Sequence, residues 1–415
     1  MNEGRRRRIR QGRNLPKVRA DNLSVVLEAL QKLQPISRSG LAGATGLTAA
    51  TITHMTDELS GLDLLVETPS SERLVGRRPT LLNLNRNRGQ VIGVEISRSI
   101  MYAIRSDFGG RPLARLERPF RATTSVKKGL AQLREVIAGM IDPGLPLLGI
   151  GVGIPGPVDS GRGIVLGPPN FGNWRNVPLT ADLSGHFGVP CWLDDDARAA
   201  AFGEHRYGAG RHEETLLYVS LRSGVGSGLI VEDRVYRGAH ELAGEIGHTT
   251  IDVDGPLCEC GNRGCLETLV SVPAIMQEVR RLGLAAEDPA DLHRLALGGD
   301  LRARNIKERV YTYLCAALVN AVNHYDPALI VLGGQLVRSW PDLTGTLAEK
   351  VKGRSFGYLS KDIRIVESAL GHDATALGAV AIAIDHILRD PRRALAPVSQ
   401  TVPEGVAVLT AAARP

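Results

Sequence analysis

The sequence lacks any apolar run approaching the roughly 18–20 residues that a membrane helix needs. No apolar h-region follows the basic N-terminus, so a secretory signal is not expected and the chain reads as cytoplasmic. No self-similarity recurs at solenoid spacing, which argues against a repeat architecture. Cysteine is scarce, five in 415 residues: Cys191, Cys258, Cys260, Cys265 and Cys315. Three of these fall within eight residues, and in a chain with no export signal that clustering reads as metal before disulfide. What is present is length for two or three compact units and 43% hydrophobic residues, enough to bury a sizeable core.

The formal net charge of +6 is unevenly placed. Residues 1–90 hold 15 Lys/Arg against 8 Asp/Glu, whereas the remaining residues hold 35 against 36. The basic character therefore belongs to the N-terminal fifth, which suits a nucleic-acid partner at that end, although a solvated basic tail has the same charge. Residues 1–20, with eight Lys/Arg and almost nothing apolar, read as a disordered arm. From about residue 90 strand-like alternation begins, and strands then alternate with helical spacing to about residue 388, the pattern of a mixed α/β body. The Pro- and Ala-rich residues 389–415 read as a flexible tail.

Residues 21–86 carry the pattern of a winged helix-turn-helix. Asp21 is a candidate cap for a first helix, stopped by Pro35. Ser37 can cap a short second helix to Thr45, Gly46 supplies the turn, and Thr48 can cap a third helix with Ile52, Met55 and Leu59 on its buried face. In such a unit the N-terminal residues of the helix after the turn meet base edges, here Thr48, Ala49, Thr51, Thr53 and His54. Leu64–Glu67, a turn through Gly76, and Leu81–Leu84 make a wing whose Arg77 and Arg78 can reach phosphates or the minor groove. The third helix has no Arg or Lys, so bidentate arginine–guanine readout from it is unavailable and backbone contacts should dominate affinity. The alternative is a three-helix module that binds only protein.

His248 precedes Cys258-Glu259-Cys260-Gly261-Asn262-Arg263-Gly264-Cys265. Three thiolates and one imidazole suit a closed tetrahedral zinc site of the structural kind, against the alternative of three unmetallated thiols. A closed site leaves no position for a reactive water.

At these residues the chain resembles the ROK family, which includes bacterial sugar kinases and sugar-operon repressors. The segments that carry the resemblance are Gly151-Val152-Gly153-Ile154-Pro155-Gly156-Pro157-Val158-Asp159, Pro169-Asn170 with Trp174, Asp195-Asp196-Ala197-Arg198, Ala243-Gly244-Glu245-Ile246-Gly247-His248, and the cysteine loop running into Glu267. Gly76-Arg77-Arg78-Pro79 matches the wing of the family's repressor branch. The resemblance implies an actin-like (ribonuclease H-like) fold of two α/β lobes behind the DNA-binding unit, a small lobe of residues 87–200 plus 371–388 and a large lobe of residues 201–370 with the zinc loop. It places sugar contacts on Asn170, Asp195, Asp196, Glu245, His248 and Glu267, the catalytic Asp of the kinases on Asp196, and zinc on His248, Cys258, Cys260 and Cys265. Asp195 stands where the family usually has Asn. It also implies a homodimer or homotetramer.

The nucleotide side departs from the family's kinases. Their Asp-x-Gly-Gly-Thr phosphate loop corresponds here to Glu95-Ile96-Ser97-Arg98-Ser99, and their second Gly-rich loop reads Arg222-Ser223-Gly224-Val225-Gly226-Ser227-Gly228. Ser97, Arg98 and Arg222 should crowd phosphates where glycine admits them. The expectation is a DNA-binding regulator, a repressor, that reads a sugar or sugar phosphate and has lost kinase activity. The alternatives are a working ATP-dependent sugar kinase with a DNA-binding appendage, and a regulator controlled by a partner protein.

Overall fold

The computed structural model describes residues 15–69, 80–121, 123–168, 171–356 and 363–391. The N-terminal unit runs α1 (Leu15–Leu33), β1 (Ile36–Ser37), α2 (Arg38–Thr45), α3 (Ala49–Gly61), β2 (Leu65–Pro69) and β3 (Thr80–Leu84). Ser37 caps α2 by accepting from the Gly40 N–H, and Thr48 caps α3 by accepting from the Thr51 N–H. Gly46, at φ +69°, makes the turn between them in the left-handed region that glycine tolerates. The antiparallel sheet order β1-β3-β2 completes a winged helix-turn-helix.

The first helix begins at Leu15, so residues 15–20 belong to α1 and not to a disordered arm, and Asp21 lies inside the helix without capping it. Pro16 in the first turn costs no intrahelical hydrogen bond. Arg19, in this extension, binds Glu58 of α3 through Nη2 at 2.6 Å and Nε at 3.1 Å, which ties the added turns down.

A first five-stranded sheet follows. It comprises β4 (Gln90–Ile96), β5 (Ile100–Asp107), β6 (Pro112–Pro119), β7 (Leu147–Ile154) and, after α4 (Val126–Ala138), the two-residue strands β8 (Val158–Asp159) and β9 (Ile164–Val165), and α5 (Leu179–Phe187), the edge strand β10 (Cys191–Asp195). Its order is β10-β7-β4-β5-β6, with β7 parallel to β4 and β10. Next comes α6 (Asp196–Tyr207), then β11 (Thr215–Leu221), β12 (Val225–Val231) and β13 (Arg234–Val235). Helices α7 (Leu266–Val270), α8 (Val272–Arg281), α9 (Pro289–Leu297) and α10 (Leu301–Tyr325) lead to β14 (Leu329–Gly333), α11 (Gln335–Ser339), α12 (Leu343–Lys352), β15 (Arg364–Glu367) and α13 (Ala374–Arg389). The second sheet has the order β13-β12-β11-β14-β15.

The two sheets are joined through a helix pair. Helix α6 packs on β11 and β12, α13 packs on β4 and β7, and the two helices pack on each other. Alanine and glycine dominate their contact surfaces, which lets the layers approach closely. The result is the actin-like arrangement of two α/β lobes with a cleft between them. A division between residues 200 and 201 would cut α6 in its middle. The DNA-binding unit has no separate core: Val26, Leu27 and Leu30 of α1 share a buried cluster with Val380, Ala383 and Ile387 of α13. No helix of the described residues is long and apolar enough to cross a membrane.

Candidate functional site

Strand β10 ends and α6 begins at the floor of the interlobe cleft. Asp195 is the N-cap of α6, its Oδ1 accepting from the Ala197 and Arg198 N–H groups at 3.0 and 3.1 Å and its Oδ2 from the Gly156 N–H at 3.0 Å. Burial, with the neighbouring Asp196 charge second, pushes the Asp195 carboxyl up to about 7, against the pull of Arg198. Asp196 opens the helix, where the N-terminal dipole favours a carboxylate. Burial nonetheless raises its pKa; Arg222 opposes that rise and Glu95 adds to it.

The cleft has a volume of about 340 Å³, and Asp195, Asp196, Glu245, His248 and Glu267 all line it. Glu267, in the first turn of α7, accepts from the Val225 N–H at 2.8 Å. Among the described residues no ion pair engages Asp196 or Glu245, so their carboxylate oxygens can accept from hydroxyl donors of a ligand. Asn170, the remaining candidate sugar contact, lies outside the described residues.

His248, Cys258, Cys260 and Cys265 bring one ligand atom each to within 4.8 Å of one another. The Cys260 and Cys265 Sγ atoms are 3.7 Å apart, and Cys258 Sγ is 3.6 Å from His248 Nδ1. Tetrahedral bonds of about 2.3 Å to sulfur and 2.05 Å to nitrogen give edges of about 3.8 and 3.6 Å, so the residues fit a tetrahedral metal. His248 turns Nδ1 to the thiols, which leaves Nε2 for the cleft that the residue also lines. The Thr250–Cys265 and Leu257–Arg263 bridges close the loop and carry it directly into α7 and Glu267.

At the opposite end of the cleft the phosphate-loop positions are filled. The Arg222 guanidinium binds Glu95 of β4 through Nη1 and donates from Nη2 to Thr375 Oγ1 at 3.2 Å. Glu95 is 2% exposed. Burial works against the Arg222 charge, but Glu95, with Tyr218 and Asp196 after it, more than offsets that and raises its pKa. The glycines that survive here have another reason to be glycine. A Cβ at Gly228 would fall 2.6 Å from Ala201 Cβ and 2.7 Å from Ala197 O, so β12 needs glycine to lie against α6. Gly334, at φ +104°, would place a Cβ 2.4 Å from Leu221 O.

Reasoning from motifs missed three residues that hold the floor in place. Asp194, fully buried, receives Arg198 Nε at 2.7 Å and also binds Arg237, while Arg198 Nη1 donates to Glu241 O at 2.7 Å. Removing one partner of such a set leaves a buried charge unpaired. The run Asp194-Asp195-Asp196 was a signal for Asp194, but nothing near Arg237 or Glu241 in sequence announces a partner.

In the DNA-binding unit Thr48, Ala49, Thr53 and His54 are exposed on one face of α3, together with Ala50, and Thr51 is half-buried. The Thr48 hydroxyl is taken up by Thr51, and the Thr53 hydroxyl donates to Ala49 O at 2.9 Å. The face therefore offers threonine hydroxyl and methyl groups and one imidazole, with no lysine or arginine from α3. Arg77 and Arg78 lie outside the described residues.

Comparison with known proteins gives a consistent picture. The profile described as ROK family matches residues 91–386. The xylose repressor of Bacillus subtilis is 30% identical over 376 residues, covering 89% of this chain and 97% of its own length. A crystal structure of a ROK family transcriptional regulator, described as a homolog of the Escherichia coli MLC protein, superposes with a TM-score of 0.78 at 28% identity over 90% of this chain and 97% of that one. The glucokinase of Thermotoga maritima is 33% identical over 252 residues, but those span only 57% of this chain and 80% of the enzyme.

Proposed function

The chain belongs to the ROK family, and from that premise we propose that it is a sugar-responsive transcription regulator of the repressor kind, without phosphoryl-transfer activity. The observation that carries the reading is the contrast inside one cleft: open carboxylates at Asp196 and Glu245, and an arginine held by Glu95 where the nucleotide phosphates of a kinase would lie. The relatives that match along nearly the whole chain are named as regulators, and the glucokinase matches a shorter stretch.

In this reading Asp195, Asp196, Glu245, His248 and Glu267 hold the sugar, and Asn170 is assigned to the same role by the family resemblance. Zinc on His248, Cys258, Cys260 and Cys265 fixes the loop that presents His248 and Glu267. When bound, the ion supplies a structural clamp, and it holds the imidazole with one nitrogen committed. The DNA partner is a duplex operator, met by Thr48, Ala49, Thr51, Thr53 and His54 of α3 and by Arg77 and Arg78 of the wing, with the chain acting as a homodimer or homotetramer. Helix α6 is the path between the two functions. Its N-terminus is the cleft floor and its C-terminus reaches α1 through Asp233 of the β12–β13 turn, which lies 3.2 Å from His205 Nε2 and 2.5 Å from Lys32 Nζ. Cleft closure that displaces α6 would shift α1 and so the spacing of paired recognition helices. That coupling is worth about 1–3 kcal/mol in typical allosteric proteins.

A working kinase is the second reading, favoured by Asp196, which keeps the position of the family's catalytic Asp with its carboxylate open to the cleft. A coupled ATP-consumption assay across glucose, xylose and N-acetylglucosamine separates the two. The expected result is no sugar-dependent turnover together with sugar-dependent release from, or tightening on, operator DNA. Turnover that disappears in Asp196→Asn would overturn the regulator-only reading.

A further inference from the structure

We propose that the cleft selects an uncharged, unphosphorylated monosaccharide, and that the Glu95–Arg222 pair is what excludes the phosphate ester. The proposal rests on the sugar-site reading above and narrows its ligand class. A cleft of about 340 Å³ lies at the small end of ligand pockets, which run from roughly 300 to 1,000 Å³, and so suits a single sugar ring.

The charges decide which ring. Two arginines line the cleft, Arg98 and Arg222, the cationic side chains that could receive a phosphate there. The structure commits Arg222 elsewhere: Nη1 is on Glu95, Nη2 is on Thr375, and the side chain is 24% exposed. Its charge is cancelled by a carboxylate that sits behind it on β4. Arg198 and Arg237, at the cleft floor, are both spent on the buried Asp194. One arginine, Arg98, remains among the lining residues with Asp195, Asp196, Glu245 and Glu267. A phosphate dianion entering there meets more negative charge than positive, in a partly desolvated space where like charges repel strongly. Burial, with the Asp196 charge second, already raises the Asp195 carboxyl, so the cleft tolerates added negative charge poorly. An uncharged sugar meets no such penalty, because its hydroxyls donate to the open carboxylates that a phosphate would repel.

The test is calorimetric titration of the full-length, zinc-loaded protein with glucose, N-acetylglucosamine and xylose, and with glucose 6-phosphate, N-acetylglucosamine 6-phosphate and xylose 5-phosphate. The expected result is that a free sugar binds and its ester binds at least about 100-fold more weakly. In Glu95→Gln, where Arg222 loses its counter-charge, that ratio should narrow at least about tenfold. An ester that binds the wild-type protein as tightly as its free sugar overturns the inference and leaves the sugar site standing. So does an unchanged ratio in a Glu95→Gln protein that melts cooperatively and still binds free sugar. If neither sugars nor esters bind, the sugar-site reading itself falls, and the inference with it. The wild-type comparison needs no variant, so a Glu95→Gln chain that does not fold leaves the proposal open to refutation.

Discussion

Two cavities of similar size open at the two ends of α6. The interlobe cleft at its N-terminus measures about 340 Å³, and a groove at its C-terminus, between α1 and the body, measures about 390 Å³. Volume alone would favour the groove. Their chemistry separates them. In the groove Lys32 pairs with Asp233, which also lies 3.2 Å from His205 Nε2, and Arg206 pairs with Asp385 at 3.1 Å. In the cleft Asp196 and Glu245 converge without an ion pair among the described residues, Asp196 feeling Arg222 only at longer range. Polar groups that have found partners make a joint, and polar groups held together without partners make a binding site, because desolvation is tolerated only where a partner is supplied. Helix α6, at about 1.5 Å per residue over its 12 residues, is a rod of roughly 18 Å from one to the other.

The comparison is broken most severely from the cleft side. Cys265→Ser removes one of four metal ligands and the anchor that carries the loop into α7. Loss of metal and a drop in sugar affinity of about 100-fold are expected, since even outer partners of a metal site are worth 10–100-fold. Metal content by plasma mass spectrometry and titration calorimetry read the two effects together. Wild-type sugar affinity in a metal-free variant would show that the cleft wall stands without the ion.

A change at the joint should behave differently, and more mildly. Lys32→Met keeps the aliphatic stem and deletes the charge that α1 offers Asp233. Operator affinity of the sugar-free protein, and sugar affinity of the DNA-free protein, should each change by less than about threefold, as for a part-exposed ion pair. The factor by which sugar alters operator affinity should fall about fivefold, the equivalent of roughly 1 kcal/mol of coupling. Fluorescence anisotropy of labelled operator DNA, with and without sugar, measures it. An unaltered factor would remove the Lys32–Asp233 contact from the path between the sites.

What could be read in advance follows the range of each interaction. Asp195-Asp196, Glu245 through His248 and Cys258 through Cys265 are runs of adjacent residues, so their candidacy was legible from sequence; that they face one cleft is a property of the fold. The caps at Ser37 and Thr48 were legible for the same reason, since a cap is made with an N–H three residues on. The pairs that close the cleft and the joint were not. Glu95 and Arg222 are 127 residues apart, and Lys32 and Asp233 are 201 apart. No local pattern marks such partners, and an arginine in a phosphate loop looks the same whether it is free or neutralised. The start of α1 was misjudged on similar grounds. A basic run with little apolar content resembles a disordered arm until Glu58 of α3 is seen to hold Arg19.

The smallest effect concerns the closed character of the joint itself. Burial, and Arg206 after it, push the His205 imidazole down to about 4, against Asp233, which raises it, while Lys32 lowers it further. Such a group is neutral in the folded protein at neutral pH. In the unfolded chain it takes up a proton below about 6.5. Between about pH 6.5 and 4 the unfolded state therefore binds more protons, and stability must fall as pH is lowered through that window. His205→Gln has no such proton to gain. Relative to the variant, the wild type should lose about 1 kcal/mol of stability on going from pH 7.5 to 5.5, a linkage effect of one pH unit discounted for relaxation. Urea denaturation of both proteins at the two pH values gives the difference directly. A gap between them that does not change with pH would mean that His205 titrates as a solvated histidine, and that the groove at the foot of α1 is an open site like the cleft.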